Sequence, residues 1–185
     1  MNIFNAVWMT WFASEILIFL LIRSDKTDKK KQDKSSLLFL WIMVSLAISS
    51  GIIISNYIKI PISNIKSIYY IGLVIIVCGI ILRLFSIVTL GRLFTVDVTI
   101  RENHTLKKDG IYKIVRHPSY IGSLLSFIGF GIMLNNWLSL LSIFILMTIG
   151  FLYRIKIEEK ALIEQFGADY LDYKKNTRCM IPWIY

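Results

Sequence analysis

Five stretches of this chain, at about residues 3–22, 36–58, 67–90, 118–134 and 136–153, are almost wholly apolar, and most of the gaps between them are crowded with Lys and Arg. An apolar helix of roughly 20 residues crosses the roughly 30 Å of hydrocarbon in a bilayer. The first three stretches meet that length. The last two are shorter and joined only by Asn135-Asn136, which predicts a tight helical hairpin. A soluble domain of 185 residues does not need apolar runs of this kind, and 56% hydrophobic residues with a mean hydropathy of +0.63 lie outside the soluble range. Only helices and closed barrels satisfy their backbone groups in lipid. The sequence therefore predicts an all-α integral membrane protein of about five transmembrane helices. The first run is too long for a signal peptide and lacks the basic start and small-residue cleavage site, so it is expected to be a mature span.

The basic residues give the expected orientation. Arg23, Lys26, Lys29, Lys30, Lys31 and Lys34 follow the first span, and Arg92, Arg101, Lys107, Lys108, Lys113 and Arg116 follow the third. Arg154, Lys156, Lys160, Lys174, Lys175 and Arg178 follow the fifth. Eighteen therefore fall on one side, against Lys59 and Lys66 on the other. The positive-inside rule puts the N-terminus outside and the C-terminus in the cytoplasm. Two charges fall within spans, Glu15 in the first and Arg83 in the third, each about seven residues from the cytoplasmic end. Either they pair or line a polar cavity, or they snorkel to the interface.

Several functions are disfavoured on the same residues. Cys78 and Cys179 are the only cysteines, with neither a CxxC nor metal-ligand spacing, so no disulfide framework and no metal is expected. The net charge of +9 flanks apolar segments instead of forming a basic, aromatic-interleaved patch, which points to membrane lipids as partners and not to nucleic acid.

Chemistry is expected in the longest stretch without a span, GRLFTVDVTIRENHTLKKDGIYKIVR at residues 91–116. A plain connector is commonly much shorter. Both histidines, His104 and His117, lie in it or at its edge, with Asp97, Glu102, Thr105, Asp109 and Tyr112. It runs into RHPSYIG at residues 116–122, where Pro118 suits the first position of the fourth span. Free N–H groups at that helix start, with Arg116, His117, Ser119 and Tyr120 around them, suit an anion; an ordinary helix start with interfacial anchors is the plainer alternative. In the tail, RIKIEEKALIEQFGADYLDYKKN at residues 154–176, Arg154 and Glu158 are one helical turn apart. Leu162, Phe166 and Tyr170 continue that face, so the tail reads as an extension of the fifth span that Gly167 caps or bends. On these residues alone, Arg154 and Glu158 read as a surface pair.

RHPSYIG, then a hydrophobic hairpin, then EEKALIEQFGADYLDYKK and IPWI, resembles the isoprenylcysteine carboxyl methyltransferases and the related phospholipid methyltransferases. The resemblance covers about residues 91–184, with HTL at 104–106 and GIY at 110–112 also fitting. It implies a methyltransferase catalytic region over 91–185, including the helical hairpin 118–153 and a cytoplasmic tail, while the apolar runs alone give an N-terminal unit of three transmembrane helices over 1–90. It implies S-adenosyl-L-methionine as cofactor, bound by His104, Thr105, Leu106, Lys107 through its backbone, Tyr112, His117, Pro118, Ser119, Tyr120 and Glu158. Arg154 is implied to face the substrate, so that Arg154 and Glu158 carry the catalytic roles. Asp97 stands where such enzymes have a glutamine that touches the cofactor, and GFG at residues 129–131 lies within a span instead of following a strand as in soluble nucleotide-binding folds.

The implied activity is methylation of a lipid-like or prenylated acceptor at the membrane, foremost carboxyl O-methylation of an isoprenylcysteine. A phospholipid or another small apolar amine, thiol or hydroxyl is the alternative acceptor. An ionised carboxylate needs no general base, whereas an amine must lose a proton, for which Glu158 or His117 is placed. A reading from another class, a small transporter or structural subunit using Glu15 and Arg83 as a polar relay, leaves the long histidine-bearing segment without a role.

Overall fold

A computed structural model describes residues 34–65, 67–91 and 105–180. The expected first span at 3–22 with Glu15, the IPWI motif at 181–184, and the stretch 92–104 with Asp97 and His104 lie outside the described residues. The other four apolar runs are helices: α1 (Lys34–Tyr57), α2 (Ile68–Leu90), α3 (Pro118–Met133) and α4 (Trp137–Phe166). A short α5 (Ala168–Asn176) follows, and a 3-10 turn covers Gly110–Lys113. Among the described residues there is no strand, only one parallel bridge between Val115 and Arg178. By length and composition α1 from Ser35, α2 and α4 can each cross a membrane, while α3 is a shorter apolar helix.

α4 continues past residue 153, where the apolar hairpin ends, into the tail read as an extension of the fifth span. Lys156, Glu158, Glu159 and Lys160 end the apolarity but are good helix formers, so the backbone continues to Phe166. At 1.5 Å per residue its 30 residues span about 45 Å. That is about 15 Å more than the hydrocarbon thickness. Counted from Trp137, Arg154 is about 26 Å and Glu158 about 32 Å along the axis, so a hydrocarbon layer of roughly 30 Å that begins at Trp137 ends between them. Gly167 ends the helix with φ of 53°, a left-handed conformation in which glycine carries no Cβ penalty.

The hairpin α3–α4 nests inside the hairpin α1–α2. α1 packs on α4, α2 on α3, and α3 on α4. Ile76, Phe127, Phe130, Ile143, Met147 and Phe151 form the shared core. Leu38, Ile53, Val74, Ile81 and Val88 point outward, as a lipid-facing surface requires. The α2–α3 contact is the closest, because glycines from both helices meet there: Gly72 faces Gly129, and Gly79 faces Gly122.

The two asparagines at the hairpin tip tie the nested hairpins together. Asn135 adopts φ of 47°, which its short polar side chain tolerates. Its Oδ1 accepts from the backbone of Ile62 at 3.1 Å and Ser63 at 3.0 Å, and its Nδ2 donates to the Ser63 carbonyl at 2.9 Å. Asn136 is the N-cap of α4, accepting from Leu138 N and Ser139 N at 3.0 Å each, and its Nδ2 donates to the Ile58 carbonyl. Asn136→Ala is expected to remove about 1 kcal/mol of capping. In a chain of this size that lowers the melting temperature by roughly 2–4 °C. Thermal denaturation in detergent checks this, with Asn136→Asp expected to recover the part due to the cap.

Candidate functional site

The residues before α3 are held by the tail. Arg116 N donates to the Arg178 carbonyl at 2.8 Å, Arg178 N to the Ile114 carbonyl at 3.0 Å, and His117 N to the Cys179 carbonyl at 3.1 Å. The Tyr112 hydroxyl donates to the Ser86 carbonyl at the end of α2 at 3.1 Å, and the Tyr112 carbonyl accepts from the Tyr173 hydroxyl at 2.6 Å. Burial pushes Tyr173 up to about 12, with Arg116 opposing, so the donor keeps its proton at neutral pH. Burial, reinforced by the Glu158 charge, pushes Tyr112 well above the usual phenol range. The site segment is thereby fixed to α2 on one side and to α5 on the other.

A buried carboxylate sits at the centre. Glu159 Oε1 accepts from Arg116 Nε at 2.8 Å and lies 3.4 Å from His117 Nε2, while Oε2 accepts from Lys174 Nζ at 2.6 Å. Arg116 also donates to the carbonyls of Lys174, at 3.1 Å, and Thr177. Glu159, Arg116 and His117 are all buried, so two full charges and an imidazole share a small volume out of water. Cys179 joins this cluster: the ligand-type atoms of His117, Glu159 and Cys179 lie within 4.8 Å of one another, a proximity that sequence spacing does not reveal. Burial and the Glu159 charge push the Cys179 thiol up, and Glu159 already faces two cations, so the trio is part of the ion network.

The neighbouring Glu158 faces the other way. Its carboxylate is 34% exposed, accepts from the Tyr120 hydroxyl at 3.1 Å, and lies 3.8 Å from His117 Nδ1. His117 thus stands between the two glutamates. Tyr120 stacks near both His117, with centroids 5.8 Å apart, and Phe151, at 5.4 Å. One turn earlier on α4, Arg154 is only 2% exposed, and its Nη1 donates to Ser36 Oγ on α1 at 2.5 Å. Such burial removes the reading of Arg154 as half of a surface pair.

Of the expected site residues, Tyr112, His117, Pro118, Ser119, Tyr120, Arg154 and Glu158 gather at one end of the bundle. Pro118 and Ser119 are buried in the first turn of α3, and Ser119 Oγ accepts from Arg83 Nη1 at 3.5 Å. Arg83, expected either to pair within the membrane or to snorkel, also donates to Ser123 on α3. Thr105 is exposed, Leu106 is half-buried, and Lys107 pairs with Asp109 at 3.0 Å. His104 lies outside the described residues. Sequence reasoning missed Ser36, which no motif marks, and the central role of Glu159, whose only signal was being the second member of EE. Arg116 was read as one of the groups around an anion site at the start of α3, and its Nε ends on Glu159.

An accessible carboxylate beside aromatic rings suits a cationic ligand, and a buried guanidinium one turn away suits an anionic one. The two are close enough to bring such ligands together.

The model of the isoprenylcysteine carboxyl methyltransferase family matches residues 71–164. The chain is 36% identical over 115 residues to protein-S-isoprenylcysteine O-methyltransferase A of Arabidopsis thaliana, covering 61% of this chain and 58% of that protein. It is also 36% identical over 115 residues to the protein-S-isoprenylcysteine O-methyltransferase of Saccharomyces cerevisiae, covering 61% of this chain and 48% of the relative. The solved structure of the eukaryotic intramembrane Ras methyltransferase ICMT superposes with a TM-score of 0.72 at 29% identity, covering 96% of this chain and 64% of that one. The matched region spans 58% of the length of the Arabidopsis relative.

Proposed function

The chain belongs to the isoprenylcysteine carboxyl methyltransferase family, and on that footing we propose that it methylates the carboxylate of a prenylated cysteine at the membrane surface, with S-adenosylmethionine as donor. The observation that carries the reading is the pair on α4: Arg154, 2% exposed, and Glu158, 34% exposed, one turn apart at the membrane boundary. The donor residues fit a sulfonium cofactor by their chemistry, because Glu158 supplies an accessible negative charge framed by Tyr120 and His117. The His104, Thr105, Leu106 and Lys107 stretch, with Tyr112 and the start of α3, completes the cofactor cradle in this proposal.

The cofactor supplies an already activated methyl group. The remaining work belongs to the chain: Arg154 orients the acceptor carboxylate by its planar fork, Glu158 holds the cationic donor, and Tyr120 and Phe151 exclude water from the line between them. A carboxylate is ionised at neutral pH, so no side chain has to accept a proton. With the donor bound, Glu158 would hold the sulfonium and Arg154 the acceptor carboxylate, so that the activated methyl would face the carboxylate oxygen. The prenyl chain of the acceptor lies in the bilayer, and the site faces the cytoplasm with the eighteen basic residues of that side.

Incubating the purified protein with a donor labelled in its methyl group and a small prenylcysteine should give label that alkali releases as methanol. Phosphatidylethanolamine offered in its place should remain unlabelled. Glu158→Gln should raise the KM for the donor about tenfold, a cost of one charge-assisted contact, with little change in the KM for the acceptor. Alkali-stable label on the amine lipid, with none on the prenylcysteine, would overturn the proposal.

A further inference from the structure

We propose that Lys156 and Lys160 form a binding site for the phosphate of an anionic phospholipid, on the outer side of α4 at the depth of the candidate site. It follows from the way α4 crosses the membrane and is independent of which acceptor is methylated. One side of α4 is a continuous apolar stripe: Leu141 is 52% exposed, Ile145 46%, Ile149 48% and Leu152 45%. Spacings of four, four and three residues keep these positions on one face of a helix, and lipid is the medium that suits such a face on a spanning helix. The next two steps of four along the same face are Lys156 and Lys160, both exposed. Counted from Trp137 at 1.5 Å per residue, they lie about 29 Å and about 35 Å along the axis. The first is at the end of a hydrocarbon layer of roughly 30 Å and the second is in the headgroup layer beyond it. The lipid-facing stripe thus ends, where the hydrocarbon ends, in two cations one turn apart.

Neither ammonium is bonded to any of the described residues. The carboxylates nearest in sequence are engaged elsewhere: Glu159 accepts from Arg116 and Lys174, and Glu158 faces Tyr120 and His117. Glu164 is a further turn out, about 40 Å along the axis, and follows Lys160 in the weaker order for a pair four apart. Side chains one turn apart have their Cβ atoms roughly 5–6 Å from each other, so both ammoniums can converge on one phosphate group. A lysine meets phosphate as a point charge and needs no planar alignment. The acyl chains of the same lipid would run down Leu152 and Ile149, which distinguishes a phospholipid from a free anion. Arg154 is buried and lies about 200° round the helix from Lys156, so lipid and candidate site occupy opposite sides of α4. A headgroup held there resists sliding of α4 along the bilayer normal, and with it any change in the depth of Arg154 and Glu158.

The test is native mass spectrometry of the full chain in a neutral detergent, with phosphatidylglycerol or phosphatidylcholine added. A lysine near an anionic headgroup contributes about fivefold in affinity. The double variant Lys156→Gln, Lys160→Gln should therefore bind phosphatidylglycerol about twentyfold more weakly than the wild type, at the level of phosphatidylcholine. Lys175→Gln removes an exposed cation from α5 and should bind phosphatidylglycerol as the wild type does. Phosphatidylglycerol at about ten times its dissociation constant should also raise the melting temperature of the wild type by roughly 2–4 °C and leave that of the double variant unmoved. Equal affinity of the wild type for the two lipids would overturn the site, as would wild-type affinity in the double variant. An equal fall in Lys175→Gln would overturn it too, by showing only a diffuse basic face. Displacement of the bound lipid by millimolar inorganic phosphate would do the same, by showing an anion site that does not read the lipid.

Discussion

Glu159→Gln is expected to cost about 3 kcal/mol of stability, the lower end of what breaking a buried ion pair costs. The size follows from what the carboxylate holds. Arg116 Nε at 2.8 Å and Lys174 Nζ at 2.6 Å both end on it, and Arg116 is itself buried. Gln keeps the shape but offers one acceptor and no charge, which leaves the guanidinium out of water with neutral partners only, carbonyls and Thr177 Oγ1. The carbonyls of Lys174 and Thr177 retain some of the compensation, hence the lower end of the range. A fall of roughly 6–12 °C in melting temperature is the corresponding readout. Donor affinity should fall with it, because His117 loses its neighbour at 3.4 Å and the tail loses its anchor to the start of α3. Glu158→Gln, by contrast, should leave stability nearly untouched, since that carboxylate is partly solvated. A melting temperature for Glu159→Gln within about 2 °C of wild type would mean that the network is not what holds the tail.

Gly122→Val should have the larger effect and prevent folding to a monodisperse protein. A Cβ at Gly122 would lie 2.6 Å from Arg83 N, 2.7 Å from the Gly79 carbonyl and 2.9 Å from Arg83 Cβ. Two of those atoms are backbone and cannot swing aside, so the helices themselves would have to part. The facing position is equally tight, since a Cβ at Gly79 would meet Ser126 Oγ and lie 2.6 Å from the Gly122 carbonyl. Overpacking of an ordinary core costs about 1–3 kcal/mol. Here the displacement also breaks the Arg83 contacts to Ser119 and Ser123 and shifts Ser86 away from Tyr112. Gly167→Ala is the control: nothing lies within 4 Å of its Cβ, so only the backbone conformation is penalised, by on the order of 1–3 kcal/mol. Yield and size-exclusion profile of the three proteins in detergent check the ranking.

What the sequence revealed and what it concealed divide along a physical line. Apolar runs and the proline at the start of α3 are local properties, and four of the expected helices lie within a few residues of their expected starts. His117, Tyr120 and Glu158 meet, with Tyr120 Oη 3.1 Å and His117 Nδ1 3.8 Å from the Glu158 carboxylate, because helical periodicity and one tight hairpin suffice to bring them together. Partners that depend on which helices neighbour one another were not legible. Glu159 finds Arg116 at a separation of 43 residues, and Arg154 finds Ser36 at 118. Gly129, in the GFG noted as out of place for a nucleotide-binding turn, proves to be a site of close approach, with Ile76 N 2.8 Å from where its Cβ would be. A glycine chosen for proximity to another backbone carries no label of its neighbour.

The asparagine staple at the hairpin tip has a mechanical consequence for the opposite end of the molecule. The connector between α1 and α2 is bonded to Asn135 and Asn136, and Trp137 N donates to the Ile60 carbonyl at 3.0 Å. From that riveted end the bundle extends as two arms, α1 resting on α4 and α2 on α3. Two arms joined at a pivot have their greatest compliance where they are farthest from it, and that is where Ser36, Arg154, Glu158 and His117 are found. A bulky ligand entering sideways from the bilayer, as the proposed prenylated acceptor would, meets an end of the bundle whose register is held by side chains, Arg154 to Ser36 and Arg116 to Glu159, and not by the staple.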